Sequence, residues 1–188
     1  MSRFAGRTVG IVGCGRIGSS VARKLSGFEV RLLGFDPYVA AFPPGVQPVS
    51  FERLLAESDY LTIHCPLTPE THHLIDAARL KEMKSTAVLV NTSRGPVIDE
   101  AALADALETG EIFAAGLDVF ENEPDVHPKM LELENAVVIP HLGSATVDTR
   151  IAMGLLAADN LIAALEGGRP PTLLNPDAWE RRTGGSGA

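Results

Sequence analysis

Three glycines, Gly13, Gly15 and Gly18, stand in the spacing Gly-x-Gly-x-x-Gly directly after the apolar run Val9–Val12. That spacing suits a dinucleotide's diphosphate. Gly13 permits a tight turn, Gly15 lets the backbone approach the phosphates, and Gly18 lets a helix pack close to a strand. Arg16 and Ile17 then fall at a helix N-terminus, where unpaired N–H groups and the helix dipole favour an anion. A second apolar run, Val30–Phe35, ends at Asp36. A carboxylate there accepts hydrogen bonds from the adenosine ribose hydroxyls and repels a 2′-phosphate, which selects NAD over NADP. A glycine turn without ligand, and a turn aspartate before Pro37, are the plainer readings of the same residues. The pairing of turn and acid within one strand–helix–strand context favours the cofactor.

Other reactive residue types carry less. His72 and His73 are adjacent on a loop, with no acidic or cysteine partner at metal-ligand spacing. They read as polar surface, and no metal is expected. Nothing local activates Cys65 as a nucleophile, so it reads as a small packing residue. With Cys14 as the second cysteine, no disulfide framework is implied, which points to a reducing cytoplasm.

Elements must position these groups. Val9–Val12, Val30–Phe35, Tyr60–Ile63, Ala87–Val90, Phe113–Leu117 and Val137–Ile139 are short, often β-branched runs that predict strands buried on both faces of a parallel sheet. Ile17–Leu25, Phe51–Ala56, Ala77–Met83 and Glu100–Glu108 predict helices between them, the last stopped by Gly110. Ser144 to Glu166 predicts a long helix with Val147, Ile151, Leu155, Ala158, Ile162 and Leu165 on one stripe. The alternation predicts an α/β fold: a Rossmann-type doubly wound parallel sheet, helices on both faces, right-handed crossovers. Residues 1–179 read as one nucleotide-binding domain and 180–188 as a disordered tail ending Thr183-Gly-Gly-Ser-Gly-Ala188.

The 188 residues suffice for one sizeable core, and the chain is 45% apolar with a net charge of -8. That charge argues against nucleic acid or an anionic membrane as partner. No apolar run reaches membrane-spanning length, and the N-terminus has no signal-peptide pattern.

Four motifs in order suggest a family: Phe4-Ala-Gly-Arg-Thr-Val-Gly-Ile-Val-Gly13, Asn91-Thr-Ser-Arg-Gly-Pro-Val-Ile-Asp99, Gly116-Leu-Asp-Val-Phe-Glu-Asn-Glu-Pro124 and Pro140-His-Leu-Gly-Ser-Ala-Thr146. Together they resemble the D-isomer-specific 2-hydroxyacid dehydrogenases over about residues 4 to 179. Pro170-Pro-Thr-Leu-Leu-Asn175 is similar to the glyoxylate/hydroxypyruvate reductase branch. The resemblance implies a catalytic Arg94, Glu123 and His141. In such chemistry a guanidinium holds the substrate carboxylate, and a histidine, ordinarily titrating near neutrality, donates the proton under a carboxylate's influence. All three would lie beyond the carboxyl ends of strands, where open α/β sheets place ligands. By the same match Asp118 holds the nicotinamide carboxamide. Asn91 and Ser93 lie beside the ring, and Gly143 and Ser144 follow the histidine. His64, Cys65, Pro66 and Thr71 flank the adenine.

The family carries a substrate-binding domain built mainly from sequence before the first motif, so the resemblance implies that domain is absent from this chain. Its dimer contact also draws on that sequence, which leaves a homodimer of this chain without its usual surface. The expectation is a chain that binds NAD, turns over poorly alone, and belongs to a reductase of small 2-oxo acids such as glyoxylate or hydroxypyruvate. A stand-alone NAD(H) sensor of corepressor type is the alternative, since those relatives keep similar residues. A different enzyme with a related domain, such as an adenosylhomocysteine hydrolase, fits the 91–99 and 140–146 motifs less well.

Overall fold

A computed structural model describes residues 4–184 of the chain. Seven parallel strands form one sheet: β1 (Thr8–Val12), β2 (Arg31–Phe35), β3 (Val46–Pro48), β4 (Tyr60–Ile63), β5 (Val88–Asn91), β6 (Ala114–Leu117) and β7 (Ala136–Val138). Their order is β3-β2-β1-β4-β5-β6-β7. The order therefore reverses between β1 and β4, and a crevice opens at the carboxyl ends of those two strands. Six of the strands lie within one residue of their predicted bounds. The short β3 is the addition: Val46-Gln-Pro48 has no apolar run, and its pairing with Leu32–Gly34 of β2 makes it a strand.

The helices are α1 (Arg16–Leu25), α2 (Phe51–Glu57), α3 (Ala77–Glu82), α4 (Glu100–Thr109), α5 (Val147–Leu165) and α6 (Pro176–Gly184). Four begin at side-chain caps. Ser50, Asp76, Asp99 and Thr146 each accept the backbone N–H three residues on, satisfying a donor the helix leaves unpaired. Gly110, at φ +72°, ends α4 in the left-handed region.

Alternation along the strands builds two cores. Val9 and Ile11 of β1 and Leu32 of β2 pack with Ala22 of α1 on one face. Val12 and Leu33 pack with residues of α2, α3 and α4 on the other. All of β1 is buried. The expected burial on both faces does not extend to β4, β5 and β6, where buried residues alternate with half-buried ones.

The chain forms two compact units, Met1–Gly143 and Ser144–Ala188. The first holds the sheet and α1–α4. The second holds α5 and α6, and none of the α5 residues is buried. Within it, Asn160 ties α5 to the following turn, donating to Thr172 Oγ1 at 2.7 Å and accepting its N–H at 3.0 Å. Helix α6 also takes in residues 180–184, where the sequence suggested a tail. Pro176 suits its first turn, and the Arg182 guanidinium lies 5.3 Å from the Trp179 ring centre. The rest of the expected tail, 185–188, lies outside the described residues. Among those described, no helix is long and apolar enough to cross a membrane.

Candidate functional site

The glycine turn joins β1 to α1 and each glycine has a different reason. Gly13 sits at φ +87°, and a Cβ there would lie 2.7 Å from the Cys65 backbone nitrogen. Gly18 is tighter: its Cβ would lie 2.0 Å from the Gly13 carbonyl oxygen, so helix and turn touch backbone to backbone. Gly15, the N-cap of α1, faces open space and offers no side-chain cap. The first N–H groups of α1, from Arg16 and Ile17 onward, are thus left for an anion. Both side chains are exposed.

A recess of about 270 Å³ lies over this turn. Gly13, Gly15, Asp36, His64, Cys65, Pro66 and Thr71, all singled out from the sequence, line it. Phe35, Tyr38, Thr68 and Leu74 line it too and were not anticipated. Phe35 and Tyr38 flank Asp36, which is a signal the sequence did offer. Asp36 also acts as the turn residue of the plainer reading. Its Oδ1 accepts the N–H of Tyr38 at 2.8 Å, and its Oδ2 accepts that of Cys14 at 2.8 Å. A carboxylate has about four acceptor sites, so capacity remains for a ribose hydroxyl. His64 Nε2 meets Thr62 Oγ1 at 3.0 Å, while its Nδ1 is buried without a partner. Burial lowers the His64 pKa, because the charged ring is disfavoured away from water. Thr71 Oγ1 donates to Pro66 O at 2.7 Å and accepts the Thr68 N–H at 2.7 Å, which shapes the loop. Burial raises the Cys65 thiol, and burial with the nearby Asp36 charge pushes Cys14 to about 11. Neither is an activated nucleophile. The cradle at Gly13 and Gly18, the open approach at Gly15 and the orphaned His64 nitrogen together fit a nucleotide.

The second feature lies past β6 and β7. His141, held at φ +51°, places Nδ1 3.0 Å from Glu123 Oε2. Glu123 Oε1 accepts the Phe120 N–H at 3.1 Å. The His141 hydrogen bond chiefly holds the Glu123 carboxyl below the usual range, with the Arg94 charge adding to it. An apolar recess of about 440 Å³ adjoins the pair, walled by Phe120, Pro124, Val138 and Ile139. Arg94 is exposed after β5, its Nη1 donating to the Ser93 carbonyl at 2.6 Å.

The supporting residues hold backbone. Buried Asn91 donates to Arg94 O at 2.9 Å and accepts from Ser93 N at 3.0 Å, so Asn91 and Ser93 fix the loop that presents Arg94. Buried Asp118 accepts the N–H groups of Leu142 and of Gly143, the latter at 2.8 Å. It thereby anchors the loop just past His141. Ser144 is exposed and begins the second unit.

Around His72 and His73 the sequence reading missed a partner. Glu121 brings a carboxylate to His73, with Nε2 and Oε1 2.7 Å apart, so an acidic group is present after all. The two rings stack at 4.1 Å with planes 28° apart. Imidazole lone pairs lie in the ring plane, and two near-parallel planes do not converge on one ion.

Comparison with known proteins accords with this geometry. The family model described as "D-isomer specific 2-hydroxyacid dehydrogenase, NAD binding domain" matches residues 1–143. The chain is 49% identical over 185 residues to a glyoxylate reductase of Korarchaeum cryptofilum, covering 96% of this chain and 55% of that protein. The structure of a glyoxylate reductase from Paecilomyes thermophila superposes with a TM-score of 0.82 at 39% identity, over 94% of this chain and 54% of that one. An NAD-complexed D-isomer specific 2-hydroxyacid dehydrogenase from Lactobacillus delbrueckii ssp. bulgaricus gives 0.82 at 31% identity, over 93% of this chain and 58% of the other. The chain thus spans about half the length of the relatives it matches.

Proposed function

Because this chain belongs to the D-isomer-specific 2-hydroxyacid dehydrogenase family, as its NAD-binding domain, we propose that it serves an enzyme passing hydride between NAD(H) and a small 2-oxo or 2-hydroxy acid of the glyoxylate or hydroxypyruvate type. The similarity to glyoxylate reductases favours that substrate class, and an enzyme over a sensor. One observation carries the reading: an imidazole bonded to a carboxylate stands past the strand ends of the same sheet whose glycine turn is shaped for a diphosphate.

The amides of α1 and the turn at Gly13–Gly18 hold the diphosphate, and Asp36 takes the ribose hydroxyls. His64, Cys65, Pro66 and Thr71 wall the adenine, and Asn91, Ser93, Asp118 and Gly143 the nicotinamide side. Bound NADH supplies the hydride. Arg94 holds the substrate carboxylate and polarises the ketone. His141 gives a proton from Nε2 to the oxygen that gains charge, while Glu123 on Nδ1 fixes the tautomer and balances the imidazolium. In the reverse direction the same histidine accepts the proton.

Calorimetric titration of the 188-residue chain tests the cofactor assignment. NADH binds more tightly than NADPH, and Asp36→Ala narrows the difference. Equal or tighter NADPH binding by the unaltered chain would overturn it. With glyoxylate or hydroxypyruvate the chain alone turns over near background.

A further inference from the structure

Glu123 rides on the loop 120–127 between β6 and the short 3-10 turn Pro128–Leu131. A second set of charged groups grips that loop from behind. Glu100, the first residue of α4, is only 6% exposed. Its carboxylate accepts the Glu121 N–H at 2.7 Å and the His127 N–H at 2.7 Å. Glu121 answers in kind, its Oε2 accepting the Glu100 N–H at 3.2 Å and its Oε1 meeting His73 Nε2 at 2.7 Å. His73 is itself anchored, its N–H donating to Pro96 O at 2.8 Å. At Gly95 the chain comes so near the loop that a Cβ would lie 1.8 Å from Phe120 O.

These contacts divide the work along the loop. Glu121 turns toward α4 and His73, while Glu123, two residues on, turns toward His141. The loop is pinned at Glu121 and at His127 by one buried carboxylate on a packed helix, so Glu123 between them has little freedom. Hydrogen bonds to an ionised acceptor are the stronger kind, and a buried carboxylate that lost them would be left uncompensated.

We propose that Glu100, Glu121 and His73 are positioning residues: they lock the 120–127 loop in the one arrangement that keeps Glu123 bonded to His141. The inference takes Glu123 and His141 to be the acid–base pair, as argued above, but the bond between them is measurable without turnover.

The experiment uses the 188-residue chain labelled with carbon-13 and nitrogen-15. It follows the titration of the Glu123 carboxyl carbon and the hydrogen exchange of the Glu121 and His127 amides. His141→Gln first calibrates how far Glu123 moves when its partner is removed. In Glu121→Ala the Glu123 carboxyl shifts by most of that distance toward the ordinary glutamate value. In Glu100→Gln the side chain keeps one acceptor oxygen and turns an NH2 toward the other loop N–H, and the amide that faces the NH2 exchanges about tenfold faster, as when a hydrogen bond to a charged group is lost. Glu121→Gln keeps an oxygen for the Glu100 N–H and sets an amide against the His73 ring, so it restores the Glu123 titration. Glu82→Gln, exposed on α3, changes neither readout. If Glu121→Ala does not fold, His73→Ala takes its place with the same expected direction. A wild-type Glu123 titration in folded Glu121→Ala (or its substitute) and Glu100→Gln overturns the proposal. That failure leaves NADH binding untouched, whereas failure of the cofactor titration strikes the functional reading and leaves this one standing.

Discussion

Asp118 and Glu123 reach the histidine loop from two sides: one carboxylate holds the backbone just past His141, the other its ring. The Glu123 carboxyl is held below its ordinary value, first by the His141 hydrogen bond. A carboxyl depressed in the folded state adds stability above its unfolded pKa of about 4.3 and loses it as pH falls through the lower folded value. Thermal midpoints of the chain and of Glu123→Gln should therefore differ near neutral pH and converge in acid below about pH 4. The half-exposed pair, with side chains 50% and 37% accessible, limits the difference to about 1 kcal/mol. A gap that widens in acid would contradict the assignment. At this scale the sequence offered residue types and motif positions. It did not reveal that Asp118 binds two backbone amides, because Leu142 and Gly143 lie more than twenty residues away.

The strand–turn–helix element was the most legible part of the chain, since spacing alone separates the duties of its glycines. Gly18→Ala forces a Cβ against the Gly13 carbonyl and should cost about 1–3 kcal/mol of stability by overpacking. Gly15→Ala adds a methyl to open space at φ -69° and should change stability by no more than about 0.5 kcal/mol. It should nonetheless weaken NADH binding by at least about tenfold, near 1.4 kcal/mol, because the methyl stands where the diphosphate approaches. Urea unfolding and calorimetry on the two variants separate these effects, and the reverse ranking would refute the division. Helices α1 to α5 were legible from apolar spacing and strong formers, whereas α6 was not. Strand β3 was not, because its three residues lack apolar alternation and owe their conformation to β2. The half-open rows on β4–β6 were hidden as well: an apolar residue reads alike whether or not a partner covers it.

For the whole molecule, every buried hydrophobic side chain among the described residues falls between Val9 and Met130. A fragment of residues 1–143 should therefore unfold in one cooperative transition, with a midpoint within about 5 °C of the full chain. A broad, uncooperative melt of that fragment would show that the second unit supplies part of the core. The sequence by itself determined whatever is written in local spacing. The glycine turn, the acid ending β2, the helix caps and the strand–helix rhythm all depend on residues a few positions apart, whose geometry follows from backbone sterics and hydrogen bonding. Tertiary structure alone decided the meetings across distance. His141 finds Glu123 18 residues back across the adjacent strands β6 and β7, and His73 finds Glu121 48 residues on across β4 and β6 with β5 between them, because parallel strands of one sheet deliver their loops to the same end. Adjacency in a sheet is a property of the folded chain, and no periodicity along the sequence encodes which loops will share it.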